Sequence, residues 1–286
     1  MTDIGEFIKK QRIAKGLSQE ELASGIMSKA YLSKVERGEN ILASDKLMKV
    51  LDRLNNSLHE FNLHLTTTNG NNQIDFLNRY QFARKDNNRF LLNKILNQEI
   101  KFFNESKNIL HHHNSIIVKQ KLLQLEHKPF DKLETSVITE YIYSLNEWYY
   151  YDLTVFSNSL FFLPFDFVFF FSKNIFKKTE KIFKNHVYKN EVFLLTINII
   201  SNFIRSNHID EALQFITEIE KQLDQTNFYY QINKLMFLRG ICYIKKDKIS
   251  LGKDISEKAL NIMYEMKDFT NVRIHQDILD EALNSH

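Results

Sequence analysis

Between Leu17 and Gly38 the chain reads LSQEELASGIMSKAYLSKVERG, and the second half of this stretch gathers side chains with a shared chemistry. Lysine neutralises phosphate or reaches guanine, serine bonds either group, and an alanine methyl can touch a thymine methyl. Small polar and cationic side chains on one face of a short helix suit a nucleic-acid groove. Residues for other chemistries are missing or badly spaced. The sequence holds no Gly-rich phosphate loop, no metal-ligand spacing and no nucleophile–base pair, so neither an enzyme nor a cofactor is expected. His111-His112-His113 are consecutive, and a helix would point them about 100° apart. A solvated helix end is expected there, not a metal site. The single cysteine, Cys242, excludes an intrachain disulfide framework and fits a reducing compartment. Its apolar neighbours predict a buried, inert thiol.

These residues need elements to position them. Hydrophobic residues make up 43% of the 286, while Gly and Pro number only 7 and 2. So few turn residues favour long helices with short connections, an all-α fold. Apolar Ile4, Phe7 and Ile8 mark a first helix, with Gly16 as its stop. Ser18 and Glu21 form a capping box that opens the second helix, and Gly25 permits a positive φ at the turn. Ser28 caps the third, with Leu32 and Val35 on its buried side, and Gly38 ends it. Ser44 starts a fourth and a second capping box, Ser57–Glu60, opens a fifth. Five short helices make a compact domain over residues 1–65, followed by a polar linker over 66–74.

Beyond the linker, helical patterns run to the end, near 75–85, 87–105, 108–127, 131–145, 146–163, 165–184, 190–206, 208–224, 228–246, 249–266 and 268–284. Asn158, Leu163, Ser172, Phe176 and Thr179 shift by forty residues onto Asn198, Phe203, Ala212, Ile216 and Ile219, and again onto Leu238, Tyr243, Gly252, Ser256 and Ala259. The small residues Ser172, Ala212 and Gly252 recur at one point of the unit, where they let two antiparallel helices pack closely. The pattern resembles a degenerate tetratricopeptide repeat. It predicts a right-handed superhelix of helix pairs with a concave groove over 75–286.

The run Leu160–Phe171, LFFLPFDFVFFF, is too short to span a bilayer, which takes about 20 residues. It also contains Pro164 and Asp166, so a core helix or dimer interface is expected there and no membrane contact. The N-terminus MTDIGEFIKKQR has no apolar run, so no signal peptide is expected and a cytoplasmic location is expected. Lys173, Lys177, Lys178, Lys181 and Lys184 read as a solvated helix face, and Trp148 with Tyr149–Tyr151 as core and groove wall.

The spacing of Leu17–Gly38 within roughly residues 4–65 resembles the helix-turn-helix of the phage-repressor (xenobiotic-response-element) family. The resemblance implies that the Ser28–Arg37 helix enters the major groove of double-stranded DNA. Ser28, Lys29, Ala30, Ser33 and Lys34 occupy the family's base- and phosphate-facing positions, joined by Tyr31. Gln19 matches the family's backbone-anchoring glutamine, and Arg12 with Glu36 matches a structural buried ion pair. More widely the chain resembles the Rgg/GadR/MutR regulators. Val35-Glu36-Arg37-Gly38-Glu39-Asn40, Ser44-Asp45-Lys46-Leu47 and the block Glu147-Trp148-Tyr149-Tyr150-Tyr151-Asp152-Leu153 carry that likeness. Tyr149 and Asp152 depart from it, where Gly and Glu are commoner.

That resemblance implies a homodimeric transcription regulator whose repeat domain binds a short hydrophobic signalling peptide, as in quorum sensing. A peptide backbone presents unpaired N–H and C=O groups, which an asparagine amide meets with donor and acceptor together. Asn158 and Asn198, one repeat apart, are candidate contacts, with Asn202 one turn further on. Tyr151 and Phe162 are candidates to line apolar pockets and Arg84 to pair with a peptide carboxylate. The alternative is a ligand-independent repressor whose repeats serve only dimerisation or partner docking. The first 68 residues carry ten Lys/Arg against nine Asp/Glu, a net of +1. One such domain should bind DNA weakly, so two must be paired.

Overall fold

The computed structural model describes residues 3–68, 73–178, 189–223 and 228–285. Every regular element among them is helical. In chain order they are α1 (Asp3–Ala14), α2 (Gln19–Ala23), α3 (Lys29–Glu36), α4 (Ser44–Arg53), α5 (Leu58–Thr68), α6 (Gln73–Lys85), α7 (Arg89–Ser106), α8 (Ile109–Leu125) and α9 (Lys132–Ser144). Then follow α10 (Tyr150–Ser159), α11 (Phe165–Ser172), α12 (Ile175–Lys178), α13 (Lys189–Arg205), α14 (Ile209–Gln222), α15 (Tyr229–Ile244), α16 (Ile249–Glu265) and α17 (Phe269–Asn284). No helix among the described residues is long and apolar enough to cross a membrane. The chain divides into two compact units, Met1–Ile95 and Leu96–His286.

In the first unit, Phe7, Ile8, Leu22, Leu32, Val35, Val50, Leu51, Leu54 and Phe61 form one core. Both capping boxes are made: Glu21 N–H donates to Ser18 Oγ at 3.1 Å and Ser18 N–H to Glu21 Oε2 at 2.7 Å. Ser57 and Glu60 repeat the exchange. Gly16, Gly25 and Gly38 all hold positive φ, and Gly25 makes the turn between α2 and α3. Two features of this unit carry no sequence signal. A Cβ on Gly5 would lie 2.1 Å from Val35 O, so α1 and α3 touch backbone to backbone. Arg53, at the end of α4, donates to the carbonyls of Glu21, Leu22 and Ser24, closing the open end of α2. The first compact unit also takes in α6 and the start of α7, so it reaches further than the expected boundary at 65. Of the expected 66–74 linker, 69–72 lie outside the described residues.

Five helices, α7, α8, α13, α15 and α16, end in the same way. Lys107, His127, Asn207, Asp247 and Lys267 each hold φ between 55° and 61° just past a helix. At Asp247 the N–H returns to Ile244 O (2.9 Å) and the next N–H to Tyr243 O (3.0 Å), satisfying last-turn carbonyls. These five residues are spaced by multiples of twenty, one helix with its turn, and two such steps make the forty-residue repeat. The small-residue position explains the packing. A Cβ on Gly252 would meet Gly240 O at 2.5 Å and Ile244 N at 2.7 Å, so α15 and α16 are in backbone contact. Ser172 and Ala212 are buried at the same register.

Three expectations change here. The 146–163 helix covers only Tyr150–Ser159, because Asp152 Oδ2 caps the Tyr149 N–H (2.7 Å) and starts the helix there. The 165–184 helix breaks at Lys173–Asn174. Lys178 is not a solvated cation: its ammonium donates to Leu145 O at 2.6 Å, and burial lowers its pKa. Lys173 and Lys177 are exposed, while Lys181 and Lys184 lie outside the described residues.

Candidate nucleic-acid interface and ligand groove

Helix α3 buries Leu32, Val35 and Glu36, which leaves Ser28, Lys29, Ala30 and Lys34 exposed on its other side. Ser28 Oγ accepts the Tyr31 N–H (3.2 Å), so this hydroxyl caps the helix. Lys29 stands 3.6 Å from Glu20, a pair of two exposed ends that contributes little. Ser33 Oγ accepts from Arg37 Nη1 at 2.6 Å, and Arg37 is also paired with Glu39. Tyr31 is half-buried, and its hydroxyl donates to Ile41 O (2.8 Å). The phenol therefore pins the chain that follows α3, with the Lys46 ammonium 5.0 Å from its ring centre.

Behind this face Arg12 grips Glu36 through two bonds, of 2.7 and 3.0 Å, and donates to Leu17 O as well. The Glu36 side chain is 2% exposed and that of Arg12 12%. The bond to Glu36 holds the guanidinium pKa above its usual range, against the cost of burial. Gln19 donates one amide N–H to Glu36 Oε2 at 2.8 Å and keeps a second for another acceptor. One carboxylate thus ties α1, α2 and α3 together. Glu36→Gln keeps the shape and removes the charge, and is expected to cost about 2 kcal/mol. Urea unfolding of the isosteric variant measures it; an unchanged midpoint would mean the pair contributes nothing.

In the second unit Asn198 Nδ2 donates to Ser157 Oγ (3.0 Å) and Asn202 Nδ2 to Leu160 O (2.7 Å), so both asparagines join α13 to α10. Asn158 turns its amide onto Thr154 O of its own helix (2.8 Å). Asn202 is 7% exposed, and its amide oxygen has no partner among the described residues. Asn198 is thereby brought to Ser157, the residue before Asn158 on α10.

A cleft of about 340 Å³ lies between the last turns of α13, α15 and α17, where Ser201, Ile204 and Arg205 of α13 line it. Its lining keeps the repeat register. Leu238 and Ile278 stand forty and eighty residues after Asn198; Ser201, Ile241 and Glu281 make a second such row, and Arg205, Lys245 and Ser285 a third. These three helices present equivalent positions to one concavity.

Other candidates sit elsewhere. Phe162 is 6% exposed and packed by Phe130 and Phe161, so it is core and not a pocket wall. Tyr151 is half-buried, with its hydroxyl 2.8 Å from His113 Nδ1. Arg84 is exposed on α6 of the first unit, 5.8 Å from the Tyr80 ring centre, whereas the other five belong to the second.

The histidine trio is not a solvated helix end. His111 and His113 are buried at the start of α8, which is covered on almost every side. His111 Nδ1 lies 2.7 Å from Glu99 Oε2, which also accepts from Asn114. Burial pulls the His113 pKa down to about 4, so its imidazole is neutral. No group of three or more metal-ligating side chains occurs among the described residues. Cys242 is buried and its thiol is pushed up to about 12, an unreactive state.

A helix-turn-helix family model matches residues 8–61, which span α2 and α3. The model of the C-terminal domain of the HTH-type transcriptional regulator Rgg matches residues 91–273. The chain belongs to the Rgg family. Three solved structures share the architecture of this Rgg protein. Streptococcus dysgalactiae Rgg2, an SHP pheromone receptor, superposes with a TM-score of 0.74 at 23% identity, over 97% of this chain and 99% of that one. A putative transcriptional regulator from Listeria monocytogenes EGD-e reaches 0.80 at 17% identity, over 99% and 98%. A bacterial peptide pheromone/receptor complex reaches 0.64 at 19%, over 98% and 97%. At these identities the likeness establishes the fold of the Rgg chain, an N-terminal helix-turn-helix followed by helical repeats.

Proposed function

We propose that this Rgg-family regulator acts in the cytoplasm as a homodimer that binds double-stranded DNA through α3. Control comes from a short hydrophobic peptide held in the groove of the repeat domain, 75–286. Ser28, Lys29, Ala30, Ser33 and Lys34 face the DNA, Gln19 anchors the backbone through its second amide N–H, and Tyr31 shapes the edge of the interface. The observation that carries the peptide half is the register of the cleft. Three consecutive inner helices offer equivalent side chains to one concavity, an anchor point for a chain that continues along the groove of the repeats. The pheromone-receptor neighbours favour the same ligand class. Asn158 and Asn198 are the proposed backbone contacts, with the Asn202 oxygen behind them.

Two recognition helices must sit about 34 Å apart to read two half-sites. A peptide that binds one dimer arrangement better shifts the population between competent and incompetent spacings. Titration of the full chain with short hydrophobic peptides tests this reading. The variant Asn158→Ala/Asn198→Ala is expected to bind at least about 10-fold more weakly, each missing pair of hydrogen bonds contributing about 1 kcal/mol. Failure of every peptide to bind, or equal binding by the variant, contradicts it. The bonds of Asn158 to Thr154 O and Asn198 to Ser157 Oγ favour the second reading, in which these amides are structural and the repeats only dimerise.

A further inference from the structure

The cleft at the ends of α13, α15 and α17 has a chemistry more specific than its shape. Ile204, Leu238, Ile241 and Ile278 make its wall apolar, and Arg205 and Lys245 reach it from equivalent points of successive repeats. Glu281 is the one acid in the lining, so the cations outnumber it. Lys245 forms no ion pair among the described residues. The volume, near the lower end for ligand pockets, suits one or two side chains and not a whole peptide.

An apolar wall beside two cations recognises an apolar side chain whose neighbouring atoms are anionic. Aspartate and glutamate do not meet that description, because their charge is at the tip and would be driven against the isoleucines. The last residue of a linear peptide does meet it: the α-carboxylate sits on the carbon that bears the side chain. We infer that this cleft takes the C-terminal residue of the peptide, with a hydrophobic side chain on Leu238, Ile241 and Ile278 and the free carboxylate on Arg205 and Lys245. The inference rests on the peptide reading above and adds the end and the direction of the ligand. Arg205 follows Asn198 by seven residues, about 10 Å along α13. The preceding peptide residues therefore run back from the cleft towards Asn198 and then Asn158.

Two arrays of random hydrophobic octapeptides test this on the full chain, one tethered by the N-terminus with a free carboxylate, the other tethered by the C-terminus. Binding is expected only on the first. The best binders, resynthesised as acids and as C-terminal amides, should differ by about 10-fold to 100-fold in affinity, the worth of a charge-assisted hydrogen bond. Arg205→Gln/Lys245→Gln should bind acid and amide alike. Equal binding in both orientations, or an amide as tight as its acid, overturns the carboxylate subsite while leaving peptide control standing. Binding on neither array removes the peptide reading itself, and the inference with it. The acid–amide comparison uses the unaltered protein, so it holds even if the double variant does not fold.

Discussion

Gly5→Ala is expected to destabilise the N-terminal unit by about 3 kcal/mol, at the upper end of overpacking costs, and to lower its melting temperature by roughly 10–20 °C. The added carbon would lie 2.1 Å from Val35 O and 3.1 Å from Val35 C. Both are backbone atoms, so no side chain can swing away, and either α1 or α3 must move. The improvement in helix propensity, about 1 kcal/mol, is too small to offset this. Since Val35 lies on the helix that carries Lys29 and Lys34, DNA affinity should fall even below the new melting temperature. Gly16→Ala is the control. Nothing lies within 4 Å of that added carbon, and the cost is only that of a positive φ, about 1–2 kcal/mol. Thermal unfolding of the two variants separates the effects; equal losses would mean that α1 and α3 do not touch as closely as described.

Gly252→Ala is expected to have a comparable effect on the repeat unit. Gly240 and Gly252 face each other, and each leaves room for the other's carbonyl. The new carbon would stand 2.5 Å from Gly240 O on one side and 2.7 Å from Ile244 N on the other. Relief requires α15 and α16 to separate, which loosens the packing of Leu235, Ile241, Ala259 and Met263, all buried. A loss of about 3 kcal/mol is expected after the propensity gain is included. Because α15 supplies Leu238, Ile241 and Lys245 to the cleft, peptide affinity should fall with it. A melting temperature that stays level, or rises as the propensity of alanine alone would have it, contradicts close packing at this register.

Much of this architecture is legible in the sequence, and the reasons are local. Ser18–Glu21 and Ser57–Glu60 mark helix starts because a capping box is satisfied within four residues. The forty-residue shift that pairs Ser172, Ala212 and Gly252 is legible because close helix packing admits only small side chains. What stays hidden depends on partners distant in sequence. Nothing around Gly5 announces Val35, and nothing around Arg53 announces the open carbonyls of α2. The histidine trio reads as polar, yet Glu99 and Tyr151, 12 and 38 residues away, supply the hydrogen bonds that let His111 and His113 be buried. Phe162 has the composition of a pocket wall, and only the packing of Phe130 against it makes it core.

The helix ends are a subtler case. A chain with 7 Gly has few to spare for left-handed caps, so Lys107, His127 and Lys267 adopt that conformation at some local cost. Their spacing by multiples of twenty residues is visible only once φ is known. On the functional side, the recognition helix could be found by its spacing, but the cleft could not. Arg205, Lys245 and Ile278 become neighbours only because three repeats stack, and no two of them are close in the sequence.

The most direct test of the account is the salt dependence of DNA binding, measured on a duplex selected by the protein from a random pool. Lys29→Ala/Lys34→Ala should weaken binding at least about 10-fold at low salt and flatten the slope of log affinity against log salt, by about one unit for each phosphate that a lysine no longer neutralises. Unchanged affinity and an unchanged slope across the salt series would contradict the assignment of α3 as the DNA-reading helix.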